Sequence, residues 1–183
     1  MFKWIKLKSF LHENGEVTPK GKKYLSCGVL LYSLLLSLMC FLPQIYEPGK
    51  ETPGIQHIGK VVVLLIPFNS IVNFGKIISA GNHVIGIFVQ NLMNIFLLTP
   101  LIFQLLWLVP NIRKVKKILL LSFSISLFIE CTQIILDIVI NANRVFEVDD
   151  LWTNTLGGYL AFLIYQQCLR KWKKYQSRIN VRF

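Results

Sequence analysis

Three acidic residues stand directly before a long apolar run in the last third of the chain. Glu147, Asp149 and Asp150 precede residues 151–169, a stretch that contains no Asp, Glu, Lys or Arg. About twenty apolar residues are enough to cross the hydrocarbon core of a bilayer. Acids at the mouth of such a helix, followed one turn later by Asn154, suggest a polar site at a membrane surface.

A second polar group lies on the preceding apolar segment. Glu130 and Gln133 are three residues apart, and Asp137 follows at an offset of seven from Glu130, so all three share one helix face. Acids inside a membrane usually face the bundle interior and mark a functional site or bind a partner. Structural roles are the alternative to a functional site. Glu130 could be ion-paired or protonated and hold the helices together, and Asp137 could lie among lipid headgroups.

Together these residues predict one polar cleft lined by acids, amides and a single arginine. Arg144 is expected either to form a local salt bridge or to bind a phosphate or carboxylate through two hydrogen bonds from its guanidinium group. No spacing typical of a zinc site occurs, and we predict neither a metal nor a cofactor. The predicted cleft residues are Asn94, Glu130, Gln133, Arg144, Glu147, Asp149, Asp150 and Asn154, and the predicted helix-packing residues are Pro100, Gly157 and Gly158.

The elements that must position this cleft are membrane helices. Only 16% of the residues are charged, against about 25% in average soluble domains, and the charges are clustered. We predict an all-α, polytopic membrane bundle with four transmembrane helices and an outer-face re-entrant or interfacial segment at 61–75, which is short and interrupted by Pro67. The predicted spans are 25–44, 86–109, 117–137 and 150–169, within a membrane domain at 24–169 that lies between a basic arm at 1–23 and a basic tail at 170–183.

The basic residues indicate how the chain is oriented. Most of the 20 Lys and Arg residues lie in the arm, in the tail and in the loop after the second span, which four crossings place on one side. Cytoplasmic loops are enriched in basic residues, so both termini are predicted in the cytoplasm, with segments 45–85 and 138–149 outside. The net charge of +11 then reflects contact with anionic lipids, and nucleic acid is not expected as a partner.

Several short motifs occur in order along the chain: Leu65 to Phe68, Asn94 with Pro100, Glu130 with Gln133, and Arg144, Phe146, Asp150, Asn154, Thr155 and Gly157. Together they resemble the VanZ family, the VanZ-like membrane proteins linked to teicoplanin resistance in Gram-positive bacteria. The similarity covers roughly residues 64–165, with departures at Asn143, where Gly is common, and Glu147, where Asp is usual. It implies a small multispan protein of the bacterial cell membrane, connected to glycopeptide or lipoglycopeptide susceptibility, without a defined biochemical activity.

Three functions remain open at this point. The leading hypothesis is a non-enzymatic envelope protein that contacts membrane lipids and binds a lipid-linked cell-wall precursor, a lipid headgroup or a glycopeptide antibiotic at the outer face. The second is an integral membrane enzyme that acts on an envelope lipid or wall precursor with a divalent cation. The third is a small proton-coupled transporter, in which Glu130 would titrate within the membrane. The sequence leaves the oligomeric state open.

Overall fold

A computed structural model describes residues 10–45, 52–79 and 84–180. The predicted basic arm is therefore described only from residue 10 onward, and the tail only as far as residue 180. Parts of the predicted outer segment, at 46–51 and 80–83, also lie outside the described residues.

The described chain is mostly helical, as predicted, but it also contains a small sheet. A single 3₁₀ turn, Pro110–Ile112, connects two of the long helices. The other elements, in chain order, are α1 (Pro19–Phe41), β1 (Gln56–Ile58), β2 (Val61–Leu64), α2 (Asn69–Val72), α3 (Phe74–Ser79), α4 (Val84–Leu97), α5 (Thr99–Leu108), α6 (Val115–Ile140), β3 (Val145–Glu147) and α7 (Val148–Asn180).

Three helical stretches are long and apolar enough to cross a membrane: Pro19–Phe41, Val89–Leu108 and Val115–Ile140. They contain the first three predicted spans almost completely. The fourth predicted span, 150–169, lies inside α7, but α7 is not among these three stretches. Its apolar part includes Asn154, Gln166 and Gln167, which lower its mean hydropathy. A fourth crossing therefore stays a prediction.

The second predicted span is two helices in succession, because α4 ends at Leu97 and α5 begins at Thr99. Pro100 lies in the first turn of α5, where its missing N–H removes one bond of the helical ladder and its ring favours a new helix start. The hydroxyl of Thr99 donates to the carbonyl of Ile95 at 3.0 Å and to the carbonyl of Gly157 at 3.0 Å. The break between α4 and α5 is thus held against α7.

The long helices form a bundle with two distinct ends. At the sheet end, where the three strands lie, Gln133 of α6 donates to the carbonyl of Cys40 near the end of α1 at 3.1 Å. At the basic end, where α1 begins, the indole of Trp172 donates to the carbonyl of His12 at 3.0 Å. There too, the guanidinium of Arg113 lies 5.4 Å from the ring centre of Tyr165. Helix α7 therefore runs the length of the bundle.

A three-stranded sheet covers one end of the bundle, although the sequence predicts only helices. Strand β2 pairs antiparallel with β1 and parallel with β3, so that Val62 lies opposite Val145. The segment 61–75 thus begins as a buried strand, and its first residues do not form a re-entrant helix. The carboxylate of Asp137, itself 1% exposed, accepts the backbone N–H of Val62 at 3.3 Å and that of Arg144 at 2.8 Å.

Paired glycines allow α7 to lie unusually close to its neighbours. A Cβ built on Gly157 would overlap the carbonyl oxygen of Ile95, and one on Gly158 would overlap the hydroxyl of Ser122. These contacts join α7 to α4 on one side and to α6 on the other. Small residues at helix contacts are typical of membrane bundles, where close approach replaces the hydrophobic effect as the source of packing energy.

We predict that Gly157→Ala destabilises the protein, because the new methyl group would overlap the backbone carbonyl of Ile95, which cannot move aside as a side chain could. Overpacking of this kind costs about 1–3 kcal/mol. The matched control is Gly86→Ala in α4, where an added Cβ meets nothing within 4 Å. Thermal unfolding in detergent micelles, followed by circular dichroism, should show a lower midpoint for Gly157→Ala only. Equal midpoints for the two variants would contradict this packing.

Candidate functional site

A cavity of about 570 Å³ lies at the sheet end of the bundle. Small-molecule sites typically enclose roughly 300–1,000 Å³. The cavity is bounded by the end of α1, by α4, by α6, by the segment 143–147 and by the first turns of α7. Seven of the eight predicted cleft residues line it, namely Asn94, Glu130, Gln133, Arg144, Glu147, Asp150 and Asn154.

Asp149 is the exception among the predicted cleft residues. Its carboxylate accepts the backbone N–H groups of Phe68 at 2.7 Å and Asn69 at 3.0 Å, and the indole N–H of Trp152 at 2.9 Å. It therefore caps the start of α2 and does not line the cavity. Phe68 is held in the left-handed region, with φ of 54°, which an L-residue adopts only when its surroundings fix it. Asp149 supplies part of that constraint.

Three carboxylates form one wall of the cavity. Glu130 accepts the backbone N–H of Glu147 at 3.0 Å, which ties α6 to strand β3. The side chain of Glu147 accepts the amide of Gln90 at 3.1 Å, and Asp150 accepts the amide of Asn94 at 2.6 Å. Within the described parts of the chain, none of the three carboxylates forms an ion pair with a Lys or Arg side chain.

Arg144 lies on another wall, beside the end of α1. The guanidinium donates through Nη2 to the carbonyl of Met39 at 2.6 Å, while Gln133 donates to the next carbonyl, that of Cys40. The last carbonyls of a helix lack intrahelical partners and carry partial negative charge, so a cation is favourable there. Burial lowers the pKa of Arg144 from its usual value. The salt bridge considered from the sequence is not formed with any described acid.

Several buried polar atoms around the cavity have no hydrogen-bond partner among the described residues. They include Nε of Arg144, Oε1 of Gln133 and Oδ1 of Asn154. The other end of the Asn154 amide donates to the hydroxyl of Ser126 at 3.0 Å, and that hydroxyl donates to the carbonyl of Asp150 at 3.1 Å. Leaving such buried groups unpaired costs about 1–3 kcal/mol each. A polar ligand in the cavity would offset that cost.

Sequence reasoning missed further residues that line the cavity. Gln90 lies one turn before Asn94 on the same helix face, and this spacing of four could have identified it. His57 also lines the cavity, because β1 pairs with β2 and brings it there. No helical period relates His57 to the other residues, so the sequence carried no such signal. Over the described residues, no group of three or more His, Cys, Asp or Glu side chains is arranged to hold a metal ion.

The chain was compared with known proteins in three ways. A protein-family model described as VanZ/LLP1 matches residues 29–170, which include every residue of the cavity wall discussed above. No curated protein and no solved structure matches the chain significantly.

Glu147 predicts a dependence of stability on pH. Burial, and after it the charge of Asp150, raise its pKa from the usual 4.5 to about 8, and the hydrogen bond from Gln90 opposes this only partly. A raised folded-state pKa stabilises the protein fully below the unfolded value, and this contribution is lost as pH rises through the folded value. Wild type should therefore lose stability between about pH 5 and about pH 9.

The variant Glu147→Gln keeps an oxygen acceptor for Gln90 but cannot ionise, so its stability should fall less over the same range. A residual slope is expected, because other titratable groups of the protein remain in the variant. Unfolding midpoints in detergent, measured across the pH series for both proteins, test this. Parallel curves for wild type and Glu147→Gln would contradict the burial of this carboxylate.

Proposed function

The chain belongs to the VanZ/LLP1 family, and from this membership we propose that it is a four-crossing protein of the bacterial cell membrane whose sheet end faces outward. Its cavity would bind a lipid-linked wall precursor or a lipid headgroup, and so contribute to glycopeptide or lipoglycopeptide resistance of the teicoplanin type in Gram-positive bacteria. The observation that carries the proposal is the meeting, in a single cavity of the helical bundle, of one arginine with three acids that have no ion-pair partner and two amide oxygens that have no hydrogen-bond partner among the described residues.

The path of α7 supports a fourth crossing. Helix α7 begins at the sheet end, packs along α4, α5 and α6, and reaches the level of His12 at Trp172. Its apolar side chains Leu156, Leu163 and Ile164 are each more than a third exposed, as lipid-facing residues would be. The basic residues of the interhelical loop and of the tail then lie at the end where α1 begins, which supports a cytoplasmic location for that end.

The segment after β2 supports an interfacial location at the outer surface. Helices α2 and α3 are short, and most apolar side chains at and beside them are exposed, although Ile77 is buried. The exposed side chains are Phe68 (51%), Ile71 (71%), Val72 (65%), Phe74 (48%) and Ile78 (50%). A contiguous exposed apolar patch on a protein usually marks a contact with a partner or a membrane. Because this patch lies beside the ends of the long helices, it would rest in the headgroup region without crossing.

Cysteine labelling tests the topology. In a chain whose four native cysteines are replaced, single cysteines are placed at Thr52, Asn111 or Ser177. A membrane-impermeant maleimide applied to intact cells should label Thr52→Cys and leave Asn111→Cys and Ser177→Cys unlabelled until the membrane is opened. If Ser177→Cys is labelled in intact cells together with Thr52→Cys, α7 does not cross and the bundle has three spans.

Expression in a susceptible Gram-positive host tests the role of the cavity. Wild type should raise the inhibitory concentration of teicoplanin, whereas Glu130→Gln and Asp150→Asn should return it to the level of the empty host, because each removes a charge that faces the cavity. The matched control is Cys131→Ala, since Cys131 follows Glu130 on α6 but is exposed on the outside of the bundle. Membrane fractions must contain equal amounts of all variants. Full resistance in both acid variants would refute the proposal.

A further inference from the structure

The side of the cavity that holds Glu130, Glu147 and Asp150 has several unused hydrogen-bond acceptors. Each of its three carboxylates uses one oxygen: Oε2 of Glu130, Oε1 of Glu147 and Oδ1 of Asp150 accept the bonds described above. The second oxygen of each accepts no hydrogen bond from a described residue. These three oxygen atoms lie on one wall of the cavity. They could therefore accept hydrogen bonds from a single ligand group that has several N–H or O–H bonds.

Two buried amide oxygens enlarge this acceptor surface. Asn154 is 1% exposed and Gln133 is 9% exposed, and both line the cavity with an oxygen that lacks a partner among the described residues. Both amide nitrogens are already used, by Ser126 and by the carbonyl of Cys40, so the amides cannot simply be reversed without losing those bonds. A ligand that donates hydrogen bonds would satisfy them in place of water.

The charges of the cavity are separated into two groups. The charges that act on Glu130 are those of Asp150 and Glu147. Arg144 is acted on by the charge of Asp137, whose carboxylate accepts the Arg144 backbone N–H, and it forms no ion pair with Glu130, Glu147 or Asp150. Like charges brought together away from water destabilise one another unless a cation or a proton intervenes. The wall formed by Glu130, Glu147 and Asp150 (the acid wall) favours a cation, which would displace the proton that Glu147 holds below its raised pKa. The wall at Arg144 favours an anion.

From this arrangement we propose that the cavity recognises a zwitterion: a primary ammonium bound by the acid wall and the amide oxygens, joined to a phosphate or carboxylate bound by Arg144. A primary ammonium carries three donors, which suits the unused acceptors. A bare inorganic cation would leave Arg144 without an anion and would fill little of about 570 Å³. This inference rests on the proposed function, since it names the chemistry recognised by the same cavity.

The ammonium and the anion can come from an aminophospholipid headgroup or from a free amino compound with the same groups. The test therefore uses purified full-length protein in detergent and four probes: short-chain phosphatidylethanolamine, its N-trimethylated counterpart phosphatidylcholine, short-chain phosphatidylglycerol, and tail-free glycerophosphoethanolamine. Trimethylation keeps the positive charge but removes all three N–H donors, while the glycerol headgroup has no cation. Affinities are measured by native mass spectrometry.

We expect phosphatidylethanolamine to bind at least about tenfold more tightly than phosphatidylcholine or phosphatidylglycerol. Glycerophosphoethanolamine separates the two sources: binding equal to that of the lipid indicates recognition of the headgroup alone, and weaker binding indicates a lipid whose tails contribute. Three results would overturn the inference: equal affinities for phosphatidylethanolamine and phosphatidylcholine, a preference for phosphatidylglycerol, or no binding of any probe.

Variants separate failure of this inference from failure of the proposed function. Glu130→Gln keeps an acceptor for the Glu147 N–H, and Arg144→Gln keeps a donor for Met39, so both variants are expected to fold as monodisperse protein. Each should weaken phosphatidylethanolamine binding about tenfold or more, and Cys131→Ala should leave it unchanged. If phosphatidylglycerol or phosphatidylcholine binds well and both variants abolish that binding, the cavity is a headgroup site. Only the inference that it recognises a primary-ammonium zwitterion is then wrong. If binding persists in both variants, the cavity is not the site and both proposals fail.

Discussion

The buried carboxylate of Asp137 fixes the geometry on which the rest of the sheet end depends. It accepts one backbone N–H from β2 and one from the loop before β3, two segments that are far apart in sequence. Those two bonds set the parallel register of β2 and β3 and hold Arg144 beside the end of α1. With β3 in place, the N–H of Glu147 meets Glu130, and the acid wall forms.

Close helix packing supplies the second constraint. The absence of side chains at Gly157 and Gly158 lets α7 approach the backbone of α4 and the Ser122 side chain of α6. This brings Asp150 and Asn154 to the level of Asn94 and Ser126. The polar wall of the cavity and the tightest helix contacts therefore lie on successive turns of the same helix. Such an arrangement gives the polar groups little freedom to leave the cavity, because moving them requires separating packed backbones.

The cavity could be predicted from the sequence where helical periodicity governs it. Residues three or four apart on one helix share a face, and this spacing predicts that the polar residues of α4, α6 and α7 lie together. In the structure, Asn94, Glu130, Gln133, Asp150 and Asn154 line one cavity. Arg144 and Glu147 followed from their position directly before α7. Pro100 is predicted only as a helix-packing residue inside a single span, but in the structure it lies at a boundary between two helices, where Thr99 contacts α7.

The sheet, and the contacts that depend on it, could not be predicted from helical periodicity. Strands of three or four residues carry almost no periodic signal, and the partner of Val62 is Val145, whose pairing depends on how the helices close. For the same reason His57 appeared unrelated to the polar faces. Asp149 and Asp150 both suited a helix start, and only the position of the Phe68 backbone decides that Asp149 caps α2 while Asp150 lines the cavity.

The central claim is that these groups share one polar cavity that is open to water on the outer side of the membrane. Adjacent single cysteines on α4 test it directly: Asn94 lines the cavity, whereas Met93 is 54% exposed on the outside of the bundle. In intact cells carrying the otherwise cysteine-free chain, a small water-soluble, membrane-impermeant thiol reagent should modify Asn94→Cys and not Met93→Cys. A positively charged reagent should react faster than a negatively charged one. Modification of Met93→Cys alone, or of neither cysteine until the membrane is opened, would contradict the account.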